Sequence, residues 1–239
     1  MLKQKPCIRI KLTNTKPDIF SSKAGGLGYI PHDRDFPVDN EGNQLRLLAQ
    51  IDCSEIDFEP FPKSGLLQFW ILNDEVYGLN DYGEDAPEAT IQDTFRIIYY
   101  PEIDRTVTRE EIFQKYIKSE YDEEEENMPI FGEYGMTFAQ AQSCQRPSYQ
   151  SDDEIWDEYS KYVDNEPNHQ IGGYPYFTQD DPRKENSKYD FLLFQLDSDG
   201  TGTDDSVLWG DAGTGNFFIN TEKLKNLDFS DVLYNWDCC

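Results

Sequence analysis

Histidine is nearly absent from this 239-residue chain, which carries only His32 and His169. Two imidazoles leave few candidates for the base of a nucleophilic triad or for zinc ligands. Cysteine is sparse as well. Cys7, Cys53, Cys144, Cys238 and Cys239 form no Cys-x-x-Cys pair and stand at no zinc spacing to either histidine. An odd, scattered set of thiols in a chain this long argues against a disulfide framework and for a reducing cytoplasm. The adjacent Cys238 and Cys239 read as reduced thiols ending a last strand rather than as a redox pair. Positive charge is outweighed, 21 Lys+Arg against 47 Asp+Glu, for a net charge of −26. Such a surface repels phosphate backbones and anionic lipid, so nucleic acid and membrane are not expected partners. No stretch approaches the ~18 apolar residues of a membrane span, and Met1 to Ile10 lacks the apolar core of a signal peptide.

What the chain does have is rings. Phe, Tyr and Trp make up 14% of it although hydrophobic residues total only 37%. Acidic disordered chains are poor in aromatics, so a packed core built largely from rings is expected.

The most informative pattern is an internal repeat. Gly25-Gly26-Leu27-Gly28-Tyr29-Ile30 compares with Gly172-Gly173-Tyr174-Pro175-Tyr176-Phe177. Each Gly-Gly leads to an apolar strand, Leu47-Leu48-Ala49-Gln50-Ile51-Asp52 in one case and Leu192-Leu193-Phe194-Gln195-Leu196-Asp197 in the other. A second strand follows each, at Gly65–Ile71 and at Gly213–Ile219. The expectation is an α+β fold with a duplicated β-rich core: two similar antiparallel β units, with a few helices inserted between and after them. Copy one spans about 20–105, a helical acidic insertion about 106–165, and copy two about 166–239, all within a single compact domain 1–239.

Short apolar runs bounded by Gly, Pro and Asp suit strands, and their imperfect alternation suits strands covered on both faces. Phe95–Tyr100, stopped by Pro101, is another strand, and Lys5–Leu12 alternates as a half-buried opening strand. Helices are expected from Thr108, where Thr108 and Glu111 have capping-box spacing ahead of an apolar stripe of Ile112, Phe113, Tyr116 and Ile117. Ser151 and Glu154 repeat that signal ahead of Ile155, Tyr159 and Tyr162, and a short helix covers Thr221–Leu227. Between the first two, the like charges of Tyr121–Asn127 read as a solvated surface segment.

Few constellations carry chemistry. Asp197, Asp199, Thr201 and Asp205 stand at positions 1, 3, 5 and 9 of a calcium loop, with Gly202 at the turn. The match fails at position 12, which is Leu208, and the competing reading is an acidic Gly-rich loop serving turn geometry. Asp197, Asp199 and Asp205 remain the candidate calcium ligands, and no other cofactor is expected. Gly210–Asn216 lacks the Lys and the following helix of a phosphate loop and reads as a strand-to-strand turn. There is no Gly-x-Ser-x-Gly, and His32 and His169, each near a Gly-Gly turn, read as surface or turn histidines. Trp70 and Trp236 are expected in the core. Trp209 either packs over the sheet or lines a pocket with Asp211 and Asn216.

Ser22-Lys23-Ala24-Gly25-Gly26, Tyr29-Ile30-Pro31, Phe36-Pro37 and Leu47–Asp52, with Trp209-Gly210-Asp211-Ala212-Gly213 and Tyr234–Cys239, resemble the YwqG family of bacterial proteins over nearly the whole chain. The resemblance implies a cytosolic α+β fold and no assigned activity. The Ser-Lys-x-Gly-Gly opening distantly resembles the eukaryotic programmed-cell-death-2-like proteins, which escort a ribosomal protein, but their zinc-binding cysteines have no counterpart here. Two functions are therefore in view. One is a non-enzymatic adaptor, immunity-type or chaperone-like protein, monomeric, that turns its acidic surface to a basic protein. The other is a small-ligand binder or enzyme with a pocket near Trp209 and Asp211.

Overall fold

The computed structural model describes residues 2–118, 127–147, 151–160, 168–199 and 206–238. Among these, ten strands form one antiparallel sheet. The two long central strands are β1 (Gln4–Thr13) and β6 (Glu133–Cys144), paired from Gln4↔Cys144 to Thr13↔Gly135. Outward from β6 run β2 (Lys23–Gly25), β3 (Arg46–Asp52), β4 (Leu66–Ile71) and β5 (Phe95–Tyr100). Outward from β1 run β7 (Gln170–Gly172), β8 (Phe191–Asp197), β9 (Thr214–Ile219) and β10 (Val232–Asp237). The strands expected as two similar β units thus belong to one continuous sheet.

The two wings curl toward each other and bury one aromatic layer between them. Phe69 on β4 lies 4.6 Å from Phe194 on β8 and 5.0 Å from Phe217 on β9, and Phe95 on β5 lies 5.3 Å from Tyr234 on β10. No strand pairing joins β5 to β10, but the seam is bridged. The Tyr234 hydroxyl donates to the Tyr77 carbonyl at 2.8 Å, and Trp236 Nε1 donates to the Val76 carbonyl at 2.8 Å. The outer faces are covered too: Tyr29, Phe36, Trp70 and Ile112 pack on one wing, and Ala89, Tyr189, Phe218 and Leu233 on the other. This is why β4 and β9 are buried along their whole length.

Both wings repeat certain local geometries. Gly25 and Gly172 each end a three-residue strand at φ +68. A Cβ at Gly25 would lie 2.1 Å from the Gly132 carbonyl oxygen, so the turn requires glycine on both counts. The β3–β4 register shifts between Leu47 and Ala49, and the β8–β9 register shifts between Leu192 and Phe194. The Tyr29 amide donates to Gln50 Oε1 at 2.9 Å, and the Tyr176 amide donates to Gln195 Oε1 at 2.8 Å.

Three short helices occur among the described residues: α1 (Arg109–Lys115), α2 (Asp153–Tyr159) and α3 (Thr221–Lys225). The α3 helix lies between β9 and β10, inside the second wing rather than after it. At α1 the Thr108 hydroxyl caps the Glu111 amide, but the Glu111 carboxylate turns to His32 Nδ1 at 2.7 Å instead of back to Thr108. The expected apolar stripe also differs: Ile112 is buried, whereas Phe113 and Ile117 are 64% and 65% exposed, and the helix ends before Tyr116. At α2 the cap is Asp152, without a side-chain hydrogen bond, and no residue of that helix is buried. The largest departure is β6, a central strand within the stretch expected to be helical. Tyr121–Glu126 and Tyr162 lie outside the described residues.

Because each wing supplies half of the aromatic layer, a fragment of residues 1–105 should show no cooperative melting transition by circular dichroism. A sharp transition would mean that one wing carries its own core. In the full chain, Phe69→Ala should cost about 3–5 kcal/mol in urea unfolding, the range for truncating a buried ring. A loss below ~1 kcal/mol would show that the wings are not held together there.

Candidate functional site

An open cleft of about 1020 Å³ lies on the β2–β5 wing. Its walls are the Gly25-Gly26-Leu27 turn, the start of β3 at Arg46 and Leu47, one face of α1, and the Met128–Gly132 segment leading into β6. Phe113 and Tyr116 stack 6.4 Å apart across the α1 wall, and Met128, Ile130 and Phe131 face them as apolar surface. None of the described lining residues is Ser, Thr, Cys or His.

Two arginines in the walls are committed to structure. Arg46 is buried and stacks over the Tyr116 ring at 4.4 Å, while its guanidinium donates to the carbonyls of Gln44 and Ile117. Gln44 adds Nε2 to the Lys115 carbonyl and Oε1 from the Ile117 amide, so the chain leaving α1 is pinned to β3. Arg109 forks onto Glu133, with Nη1 to Oε2 at 3.0 Å and Nη2 to Oε1 at 2.8 Å. Glu110, on the same helix and in the lining, makes no ion pair among the described residues.

Behind the glycine turn sits a buried lysine. Lys23 on β2 is fully covered, and its Nζ donates to the Leu27 carbonyl at 2.7 Å and to Glu133 Oε1 at 3.1 Å. Burial pulls its pKa down to about 8, Glu133 opposes that pull, and the Arg109 charge adds to it. Burial alone would raise the Glu133 carboxyl, but the bonds from Arg109 and Lys23 outweigh it and hold Glu133 below its ordinary value. One carboxylate therefore ties β2, α1 and β6 together at the back of the cleft.

The residues singled out in the sequence fall elsewhere. Trp209 is fully buried on the inner face, edge-on to Tyr77 at 5.5 Å and stacked on Trp236 at 6.1 Å, with Nε1 unpartnered. Asp211 is exposed in the turn, and Asn216 is buried on the opposite, outer face of β9, where Nδ2 donates to the Tyr176 carbonyl. None of the three lines the large cleft. Asp197 is buried and accepts from the Thr214 hydroxyl and from the Asn168 amide at 2.8 Å. Burial raises its pKa, with those bonds opposing. Asp199 accepts from the amides of Ser206 and Val207, and Asp205 lies outside the described residues. Among the described residues no group of three His, Cys, Asp or Glu side chains is placed to hold a metal ion.

Of the histidines, His32 is partly exposed between Glu111 and Thr106, as expected of a turn residue. His169 is not a surface residue: it is 2% exposed, and its Nδ1 accepts from the Asp197 amide at 3.0 Å. Burial, with the Arg9 charge adding to it, lowers its pKa to about 3, so the ring is neutral. Cys7, Cys53, Cys144 and Cys238 are free thiols, and Cys239 lies outside the described residues. Among the described residues no helix is long and apolar enough to cross a membrane. Sequence reading missed the cleft because its walls come from segments far apart in the chain. The exposed side of the α1 stripe was its one local signal.

The buried lysine makes a prediction about pH. The folded pKa of Lys23 lies below that of a lysine in the unfolded chain, so between about 8 and 10.5 the unfolded state binds the extra proton. The stability contribution of Lys23 therefore rises with pH across that window. Relative to Lys23→Met, the wild type should gain up to about 1.4 kcal/mol per pH unit there, read by urea unfolding at stepped pH. A difference that stays flat with pH would show that Lys23 titrates as an ordinary lysine.

No curated protein matches the chain. Residues 22–238, from the strand that carries Lys23 to the end of β10, match the family described as Domain of unknown function (DUF1963), and the chain belongs to that family.

Proposed function

We propose that the chain is a non-enzymatic protein-binding module that docks a segment of a basic protein in the α1 cleft. The observation that carries this reading is an apolar cleft rimmed by the exposed Phe113 and by Glu110, which makes no ion pair among the described residues, on a chain of net charge −26. An apolar anchor from the partner would cover Phe113 and Met128, and a partner cation would meet Glu110. Opposite net charges would speed encounter and make it salt-dependent. The arginines favour binding over chemistry, since Arg109 is held by Glu133 and Arg46 by backbone carbonyls. Among the described residues the lining also holds no Ser, Thr, Cys or His.

Three further parts of this reading rest on inference. The wings are copies of one unit, supported by the matched glycine turns, the register shifts one residue into each apolar strand, and the Gln50 and Gln195 contacts. The protein works in the cytoplasm, in keeping with dispersed free cysteines. It acts as a monomer and is a YwqG-type member of its family.

The test is affinity capture from bacterial lysate at ~50 and ~200 mM salt, which brackets the screening of surface charge. Wild type, Phe113→Asp and Glu110→Lys are compared. A basic protein should be held by the wild type at low salt, weakened at higher salt, and lost with Phe113→Asp, whose melting should match the wild type because the ring is exposed. Retention that ignores both substitutions would move the interface away from the cleft. Failure to hold any basic protein at low salt would overturn the reading.

A further inference from the structure

The outer face of β8, β9 and β10 carries a polar row under a cover of chain. Gln195, Asn216 and Asn235 lie side by side on three neighbouring strands, in the register Gln195↔Asn216↔Asn235, and each is 0% exposed. Asp237 follows two residues after Asn235 on the same face and is 4% exposed. The segment from Tyr176 to Gln179 crosses above them. The Tyr176 carbonyl accepts from Asn216 Nδ2, and the Gln179 amide donates to Asp237 Oδ2 at 2.9 Å, so Thr178 lies between those two anchor points.

Buried side-chain atoms without a hydrogen-bond partner collect here: Thr178 Oγ1, Asn216 Oδ1, both Asn235 Oδ1 and Nδ2, and Asp237 Oδ1. Directly opposed strand residues stand about 5 Å apart and same-face neighbours along a strand about 7 Å, so Asn216, Asn235 and Asp237 are neighbours on one face, with Thr178 on the segment above them. The corresponding row on the other wing is satisfied. Gln68 Nε2 donates to Gln50 Oε1 and to the Tyr29 carbonyl, and Gln68 Oε1 accepts from Trp70 Nε1. On β5 the positions that face outward there, Ile98 and Tyr100, are hydrophobic.

We propose that Thr178, Asn216, Asn235 and Asp237 form a buried site for one monovalent metal cation, Na⁺ or K⁺. Four of the five unpartnered atoms are oxygens, the donor type that hard cations take. Water alone would satisfy the amides but would leave a buried carboxylate without a countercharge, because Asp237 makes no ion pair with Lys, Arg or His among the described residues. The surroundings are electronegative: the Tyr82 phenol is pushed up first by burial and then by the charges of Asp237, Asp180 and Asp181. A single carboxylate among neutral oxygens fits one positive charge better than two. A water on the cation would accept from Asn235 Nδ2.

The experiment is thermal melting of the full chain in NaCl, KCl and N-methylglucamine chloride at equal ionic strength, which holds general screening of the acidic surface constant. In wild type one metal chloride should raise Tm by about 3–5 °C over the organic cation, saturating with concentration. Asn235→Leu and the nearly isosteric Asp237→Asn should each abolish that difference. Either variant suffices if the other fails to fold. Equal melting in all three salts would mean that the row holds water only. A metal-ion effect that persists in Asp237→Asn would place the cation elsewhere on the acidic surface. Both results would overturn the proposal.

Discussion

Closure of one sheet onto itself around a layer of rings is the constraint on which the rest of this structure depends. Phe69 meets Phe194 and Phe217, and Phe95 meets Tyr234, so each wing completes the core of the other. A chain that is 37% hydrophobic has little aliphatic material for two independent cores. Rings bury more area per residue, and stacking or edge contacts add to that burial. Closure also explains the long connection between β4 and β5. It reaches across the seam, where Tyr77 packs on Trp209 and Trp236 and accepts from Tyr234, so the first wing's loop seals the second wing's edge.

Once the inner faces are closed, the outer faces need cover, and the cover differs between the wings. On one side, α1 and the chain around Tyr29 and Phe36 build a layer thick enough to leave an open cleft at its margin. The Lys23–Glu133–Arg109 group holds that margin. It places one carboxylate between two cations where a lone buried lysine would be costly. On the other side, the 176–179 segment lies directly on the sheet, and buried polar atoms there are left without partners. A buried polar row that is complete rigidifies its surroundings, whereas each unpartnered atom in an incomplete one is costly.

Much of the sheet was legible from residues close in sequence. The runs at Leu47–Asp52, Phe95–Tyr100 and Leu192–Asp197 carry β-strand composition between turn residues, and the structure places strands there. The Thr108 cap was legible for the same reason, since a hydroxyl three residues before an amide is a local arrangement. The β6 strand was not. Its sequence, Glu-Tyr-Gly-Met-Thr-Phe-Ala-Gln-Ala-Gln-Ser-Cys, has little strand propensity, and it is ordered by partners on both edges, Ile8 and Ile10 opposite Gln140 and Phe138 on one side and Lys23 on the other. The short strands ending at Gly25 and Gly172 were hidden in the same way, being only three residues long and held by neighbours on both sides.

The sequence by itself determined the sign of the surface, the aromatic make-up of the core, the glycine turns and the local strand pattern, because each follows from side-chain chemistry and short-range sterics. Only the tertiary structure decided that the strands make one sheet, that Trp209 is core while Phe113 is exposed, and which polar groups lack partners. It also decided that His169 is a buried neutral ring rather than a surface group. Those outcomes depend on which distant segment covers a given face. Burial of that kind is set by the closure of the whole chain and not by any window of it.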